Sequence, residues 1–331
     1  MKVEGCAFAR AGILGNPSDG YFGKIIAVSV KNFAAEVVLE ESDTLRIGTP
    51  DYDDNSFDSL ENLVDSVTLY GYYGGVRLVK AGIKRFYEHF RDQGIRLAAR
   101  NFTLNYSSTI PRQLGLGGSS AILTAAMRAL MTFYEVDIPE HVLPTLILEA
   151  ERDELGINAG FMDRVIQVYE GCVFMDLDRE AVQTQGFGRY ERLDPKTLPP
   201  FYLAYKPALG KVSGRVLNPI REGFERGDPD VLAALVSLAS LAEQGKEALL
   251  RQDHKQVQAL MDENFYLRSR IMLISEDNLS LIRAARACGA SAKFAGSGGS
   301  IIGVYEGEAM FQELVTQLGR QDAVVIKPVV V

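Results

Sequence analysis

Pro111-Arg-Gln-Leu-Gly115-Leu-Gly-Gly-Ser-Ser120-Ala121 decides the reading of this chain. Glycines and serines surround Leu116, and from Ser119 to Tyr134 apolar residues recur all round a helical pattern, which predicts a helix packed deep in the protein. Small residues let backbone N–H groups approach phosphate oxygens closely, and the helix start adds partial positive charge. A phosphate fits such a loop, and so does no ligand at all if it is only a strand-to-helix turn capped by a serine. Two familiar nucleotide loops are excluded: no lysine follows the glycines, and Gly-x-Gly-x-x-Gly is absent.

Upstream of the loop, short β-type runs alternate with turn signals: Cys6 to Leu14, Lys24 to Val30, Ala34 to Leu39, Thr44 to Ile47 and Phe102 to Tyr106. Helical spacing appears at Phe57 to Leu69 and at Gly75 to Gln93, the latter closed by Gly94. Downstream, Leu143 to Asp153 reads as a helix and Val173 to Leu177 as a strand. A polar, turn-rich stretch from Asp178 to Pro200 places a boundary near residue 195. Beyond it come a strand at Phe201 to Tyr205, long helices between Asp228 and Ser275, a helix at Ser280 to Ala287, and strands at Ser300 to Tyr305 and Val324 to Val329. The expectation is an α+β protein of two domains, 1–195 and 196–331, as the length of 331 residues also suggests.

With 47% hydrophobic and 24% charged residues the chain reads as an ordinary globular protein. A formal net charge of -8 argues against nucleic-acid or anionic-membrane partners. Cys6, Cys172 and Cys288 are too scattered for a disulfide framework or a zinc site, and no run approaches the roughly 18 apolar residues of a membrane span. A soluble, cytoplasmic protein, monomeric or homodimeric, is the expectation.

Acidic residues follow the loop. In Glu149-Ala-Glu151-Arg-Asp153-Glu154 one carboxylate can point from its helix toward the loop, while solvated charge is the ordinary role of Glu149, Asp153 and Glu154. Asp163 differs, because Gly-Phe-Met-Asp163-Arg-Val-Ile implies partial burial, and a buried acid usually has a partner or a task. Phosphoryl transfer uses one carboxylate to hold magnesium and another to orient or deprotonate the attacking hydroxyl.

Three separated motifs resemble the GHMP kinase family: Arg10-Ala-Gly-Ile-Leu-Gly15-Asn-Pro-Ser-Asp19-Gly-Tyr21-Phe-Gly-Lys24, Pro111 to Ala121, and Lys293-Phe-Ala-Gly296-Ser-Gly298-Gly299-Ser300. Gly71-Tyr-Tyr-Gly-Gly-Val-Arg-Leu, Arg100-Asn-Phe-Thr-Leu, Ile110-Pro-Arg-Gln and Glu154-Leu-Gly-Ile look most like its glucuronokinase branch. The resemblance implies an N-terminal mixed α/β domain like ribosomal protein S5 and a ferredoxin-like C-terminal domain. It also implies ATP and Mg²⁺, and transfer of phosphate to the anomeric hydroxyl of D-glucuronate; galacturonate or a neutral hexose, or a non-catalytic binder of the same fold, are the alternatives. Carried over by residue, Asp163 and Arg10 are the catalytic pair, and Pro111, Gly115, Leu116, Gly117, Gly118, Ser119, Ser120 and Ala121 bind nucleotide. Ser120 and Glu151 hold the metal, with Ser119 the alternative to Ser120 because this loop has one residue more than most of the family. Asp19, Tyr21, Gly296, Gly298 and Gly299 face the substrate. A uronic acid needs a cation for its carboxylate, for which Lys24, Arg112, Arg164 and Lys211 are candidates.

Overall fold

The computed structural model describes residues 1–48, 56–72, 76–209 and 214–331. Its strands and helices, in chain order, are β1 (Lys2–Leu14), β2 (Lys24–Ser42), β3 (Leu45–Ile47), β4 (Ser56–Phe57), α1 (Leu60–Tyr70), α2 (Arg77–Asp92), β5 (Asn101–Ser108), α3 (Gly118–Tyr134), α4 (Leu143–Arg152), α5 (Met162–Tyr169), β6 (Cys172–Asp176), α6 (Arg179–Gln185) and β7 (Arg189–Leu193). Then follow β8 (Phe201–Tyr205), α7 (Gly214–Glu225), α8 (Pro229–Leu250), α9 (His254–Ile271), α10 (Glu276–Ala287), β9 (Lys293–Phe294), β10 (Ser300–Val304), α11 (Gly307–Gly319) and β11 (Val324–Ile326).

Two sheets organise these elements. The first runs β4-β3-β5-β2-β6-β7 with β1 paired to β2, and β3 beside β5 is its parallel pair among the described residues. The second, β11-β8-β10-β9, is antiparallel. The chain leaves the first sheet at Leu193 and enters the second at Phe201.

β2 is one strand where the residues predict two. Its pairing with β1 shifts register between Phe8 and Ala9, opposite the segment from Val30 to Ala34, so the polar interruption at Lys31 and Asn32 is an irregularity rather than an end. α6 arises where the sequence reads as turn-rich, and α5 where it reads only as burial around Asp163. Asp178 caps α6 by accepting from the Ala181 N–H, and α5 lies between Gly160 and the turn at Gly171.

α3 lies against β1 and β2, with Leu123, Ala126, Met127, Leu130 and Phe133 fully or almost fully buried. The core continues across both sheets: Leu238, Leu241 and Ala242 of α8 join β1 and β2 residues and Leu203 and Ile302 of the second sheet in one apolar cluster. A second cluster under β8 and β10 gathers Tyr202, Phe294, Leu281 and Leu314. This packing fixes the first turn of α3, the ends of α4 and α5, and the 293–300 turn against one another. No described helix is long and apolar enough to cross a membrane, and the three cysteines are free.

Candidate active site

α3 opens on Gly117, whose φ of +76° is left-handed, and no side chain caps the helix. The first N–H groups of α3 are thus left for a guest, as an anion site requires. The loop is held from below by the Gln167 amide, which donates to the Gly117 carbonyl at 2.7 Å, and from β1, where the Arg10 N–H donates to the Leu116 carbonyl. From the other side comes the 293–300 turn. A Cβ on Gly296 would sit 2.1 Å from the Gly115 carbonyl oxygen and 2.7 Å from Arg10 Nη1, so only glycine allows this approach. Gly298 and Gly299 complete the turn, and the Ser300 hydroxyl donates to the Leu114 carbonyl at 2.6 Å. Pro111 and Ala121 flank the loop, and Arg112 is exposed on it.

Beside the loop, Arg10 donates from Nε and Nη2 to the two carboxylate oxygens of Asp163 at 2.7 and 2.8 Å, a bidentate pair, while its Nη1 meets the Gly115 carbonyl. Asp163 stands in the first turn of α5. Burial pushes its carboxyl up, but Arg10 and Arg164 outweigh it and hold the group below the usual aspartate range. It stays ionised at neutral pH with 17% of its side chain open to solvent.

Glu151, at the end of α4, is fully buried and is bonded by the Arg164 guanidinium. Its other oxygen accepts from the Ser119 hydroxyl at 2.7 Å. Ser120 does not take that place. Its hydroxyl is buried and donates to the Gly117 carbonyl at 3.1 Å, inside the helix turn, so the hydroxyl facing Glu151 is that of Ser119. Among the described residues no cluster of three or more His, Cys, Asp or Glu could hold a metal alone. One carboxylate and one hydroxyl suit magnesium, which takes its remaining ligands from phosphates and water rather than from an all-protein cage.

The turn between β1 and β2 supplies Asp19. Its Oδ2 accepts from the Met162 N–H at 3.0 Å, and burial, with Asp163 adding to the effect, pushes its carboxyl up to about 6. Tyr21 packs on Phe224 with ring centroids 4.9 Å apart.

The cations proposed for a substrate carboxylate fare differently. The Lys24 ammonium is claimed by Glu243 and lies 3.8 Å from Asp176, so it is already neutralised. Arg164 is bound to Glu151 and to the Gly160 carbonyl. Lys211 lies outside the described residues, as do Tyr73, Gly74 and Gly75 of the Gly71 to Leu78 motif. Tyr72 donates its hydroxyl to Glu154 at 2.6 Å.

Beside this site, two buried cations were missed by sequence reasoning. Lys293 donates to the Gly12 carbonyl, the Asn16 side-chain oxygen and the Phe294 carbonyl at 2.7, 2.7 and 3.0 Å, which ties the 293–300 turn to the β1–β2 turn. Burial, with Arg268 and Arg10 nearby, holds its ammonium well below the usual lysine range. Arg268 of α9 is 1% exposed and donates to the Gly296 carbonyl at 3.0 Å. Lys293 could have been singled out by its place in the glycine motif; Arg268 carried no signal beyond its charge.

A glycine loop at a helix start, a carboxylate locked by an arginine beside it and a hydroxyl–carboxylate pair across from it are the kinds of group that phosphoryl transfer uses. Residues 77–171 match the family model for the GHMP kinases N terminal domain, and residues 246–322 match that for GHMP kinases C terminal. The chain belongs to the GHMP kinase family. It is 43% identical to the probable glucuronokinase 2 of Arabidopsis thaliana, covering 98% of this chain and 90% of that protein. It is 42% identical to glucuronokinase 1 of the same plant, over 91% of this chain and 84% of the relative. The fold is that of the Streptococcus pneumoniae phosphomevalonate kinase solved with phosphomevalonate and AMPPNP, at a TM-score of 0.79 and 16% identity over the whole of both chains.

Proposed function

We propose that this chain is a glucuronokinase, transferring the γ-phosphoryl group of ATP to the anomeric hydroxyl of D-glucuronate. The observation that carries the reading is the Arg10–Asp163 pair set against the uncapped start of α3. An ionised carboxylate beside a phosphate-type loop supports a base for a sugar hydroxyl, and the near full-length likeness to two glucuronokinases supports glucuronate as the sugar.

Each side chain has a definite task in this reading. The N–H groups of Gly118, Ser119 and Ser120 receive the nucleotide phosphates, within the loop from Pro111 to Ala121. Ser119 and Glu151 would hold Mg²⁺, which when bound neutralises charge on the phosphates. Asp19 accepts from sugar hydroxyls, with Tyr21, Gly296, Gly298 and Gly299 shaping the wall around the acceptor. The hydroxyl oxygen forms its bond to the γ-phosphorus as the bond to the β-phosphate oxygen breaks, ADP leaves, and the hydroxyl proton passes to Asp163. An anomeric hydroxyl is more acidic than other sugar hydroxyls. In a loose transition state its proton leaves late, so a carboxylate held below its usual range is base enough. Arg10 keeps Asp163 aimed and ionised and offsets charge growing on the transferred group.

A panel of glucuronate, galacturonate, glucose and galactose, read by coupled ADP release with ATP and magnesium, tests the reading. Glucuronate should give the highest kcat/KM. A higher value on a neutral hexose would reject the substrate, and retained sugar binding without ADP formation on any of them would reject the enzyme.

A further inference from the structure

We infer that Arg268 is the residue that recognises the carboxylate of the uronic acid, an inference that rests on the glucuronate reading above. Buried charge around the acceptor turn does not balance within the chain. Arg10 is matched by Asp163 and Arg164 by Glu151. That leaves Arg268 and Lys293, both buried, and Asp19 as the one further buried carboxylate at this place among the described residues. Lys293 spends its three donors on uncharged oxygens. Arg268 uses Nη2 on the Gly296 carbonyl, while its Nε and Nη1 have no partner among the described residues.

A buried guanidinium without a carboxylate bonded to it is costly, which makes it a candidate to receive a ligand's anion. Burial pushes this one down to about 10, against the pull of Asp19 and with Arg10 adding to the fall. The side chain meets the 293–300 turn at Gly296 and lies within electrostatic reach of Asp19. One turn earlier on the same face of α9, Asn264 accepts from the Gly15 N–H at 2.7 Å and reaches the Asn16 carbonyl, so this face of the helix is fastened to the turn that carries Asp19. The nucleotide phosphates have their own donors at the start of α3, which favours a carboxylate on the sugar over a phosphate as the partner of Arg268. The planar guanidinium, shielded from water on the Phe294 ring 5.5 Å away, distinguishes an acid from the neutral hexose of the same shape.

The test compares kcat/KM on glucuronate with that on glucose and on glucuronamide, the uncharged isostere, for wild type, Arg268→Met, Arg268→Gln and Arg268→Lys. Wild type should favour the acid. The Met and Gln variants should lose that preference by about 10- to 100-fold, the range of a charge-assisted hydrogen bond, with KM for ATP changed less than about threefold; Lys should restore part of it. Replacing an unpaired buried charge with Met should not lower thermal stability, and Gln supplies a second variant should Met not fold. Equal losses on acid and neutral sugars, or a rise in KM for ATP alone, would overturn the role of Arg268. So would a wild type that favours glucuronate but accepts glucuronamide equally well. Failure of wild type to act on glucuronate while it phosphorylates another sugar would instead reject the substrate reading itself.

Discussion

Asp19→Asn should make the ligand-free protein more stable, and increasingly so as pH rises. Asp19 is buried, and its carboxyl moves from 3.8 to about 6 on folding, chiefly by loss of water around the charge. Because the folded value is the higher one, the folded state holds the proton longer. Stability from this group is complete below pH 3.8 and is lost as pH rises through 6. Ionised Asp19 therefore costs about 3 kcal/mol at pH 8 and about 1 kcal/mol at about pH 4.5. Asparagine keeps an oxygen for the Met162 N–H, which Asp19 binds at 3.0 Å, and removes the charge. An amide N–H left without a partner offsets about 1 kcal/mol of the gain. Denaturant unfolding of both proteins across this range should show the variant gaining about 2 kcal/mol on wild type between about pH 4.5 and 8. A difference that is flat with pH, or that grows toward acid, would refute the assignment of a desolvated charge. The same substitution should raise KM for the sugar, so that stability and function pull in opposite directions at this residue.

In wild type, kcat/KM for the sugar should fall as pH drops through about 6, as Asp19 gains a proton, and Asp19→Asn should abolish that limb; an unchanged limb would reassign it. Asp163 cannot cause it, since Arg10 and Arg164 hold its carboxyl below the usual range. Asp163→Asn should lower kcat by about 10²- to 10⁴-fold with nucleotide binding, measured calorimetrically, intact, and a nearly unchanged rate would sink its role as base. Ser119→Ala should raise the magnesium concentration needed for half-maximal rate, whereas Ser120→Ala should leave it alone and cost about 1 kcal/mol of stability through the lost bond to Gly117; the opposite pattern would return the metal to Ser120.

Where the fold was legible, local chemistry was sufficient. The small residues of 115–121 led into a helix that starts at Gly118, and Phe201–Tyr205 is the strand its residues predict. Short elements escaped. Eight residues of α5 give too little length for a period to show, so its apolar run reads only as burial around Asp163. Phe311, Leu314 and Leu318 of α11 do stand at helical spacing after Gly307, and all three are buried. In the site, one helical position separates Ser119 from Ser120, and its phase is set by the Gly117 carbonyl that claims the Ser120 hydroxyl. Residue type cannot reveal such a claim.

Charge shows most clearly what composition can and cannot say. A net charge of -8 describes the chain as a whole and on average repels anions. Both guests of the proposed reaction are nonetheless anions. The conflict is resolved by depth: Arg10, Arg164, Arg268 and Lys293 are buried around the site, where the bulk of the chain's charge is farther away than their own immediate neighbours. A cation in a sequence motif is no guide to this, since Lys24 is neutralised by Glu243 from far along the chain while Arg268, in an unremarkable amphipathic helix, is left without a carboxylate. What selects an anionic substrate is therefore the residual charge after internal pairing. That quantity depends on which carboxylates the fold brings within reach, and the role proposed for Arg268 would put the decisive cation on α9, outside all three glycine-bearing motifs.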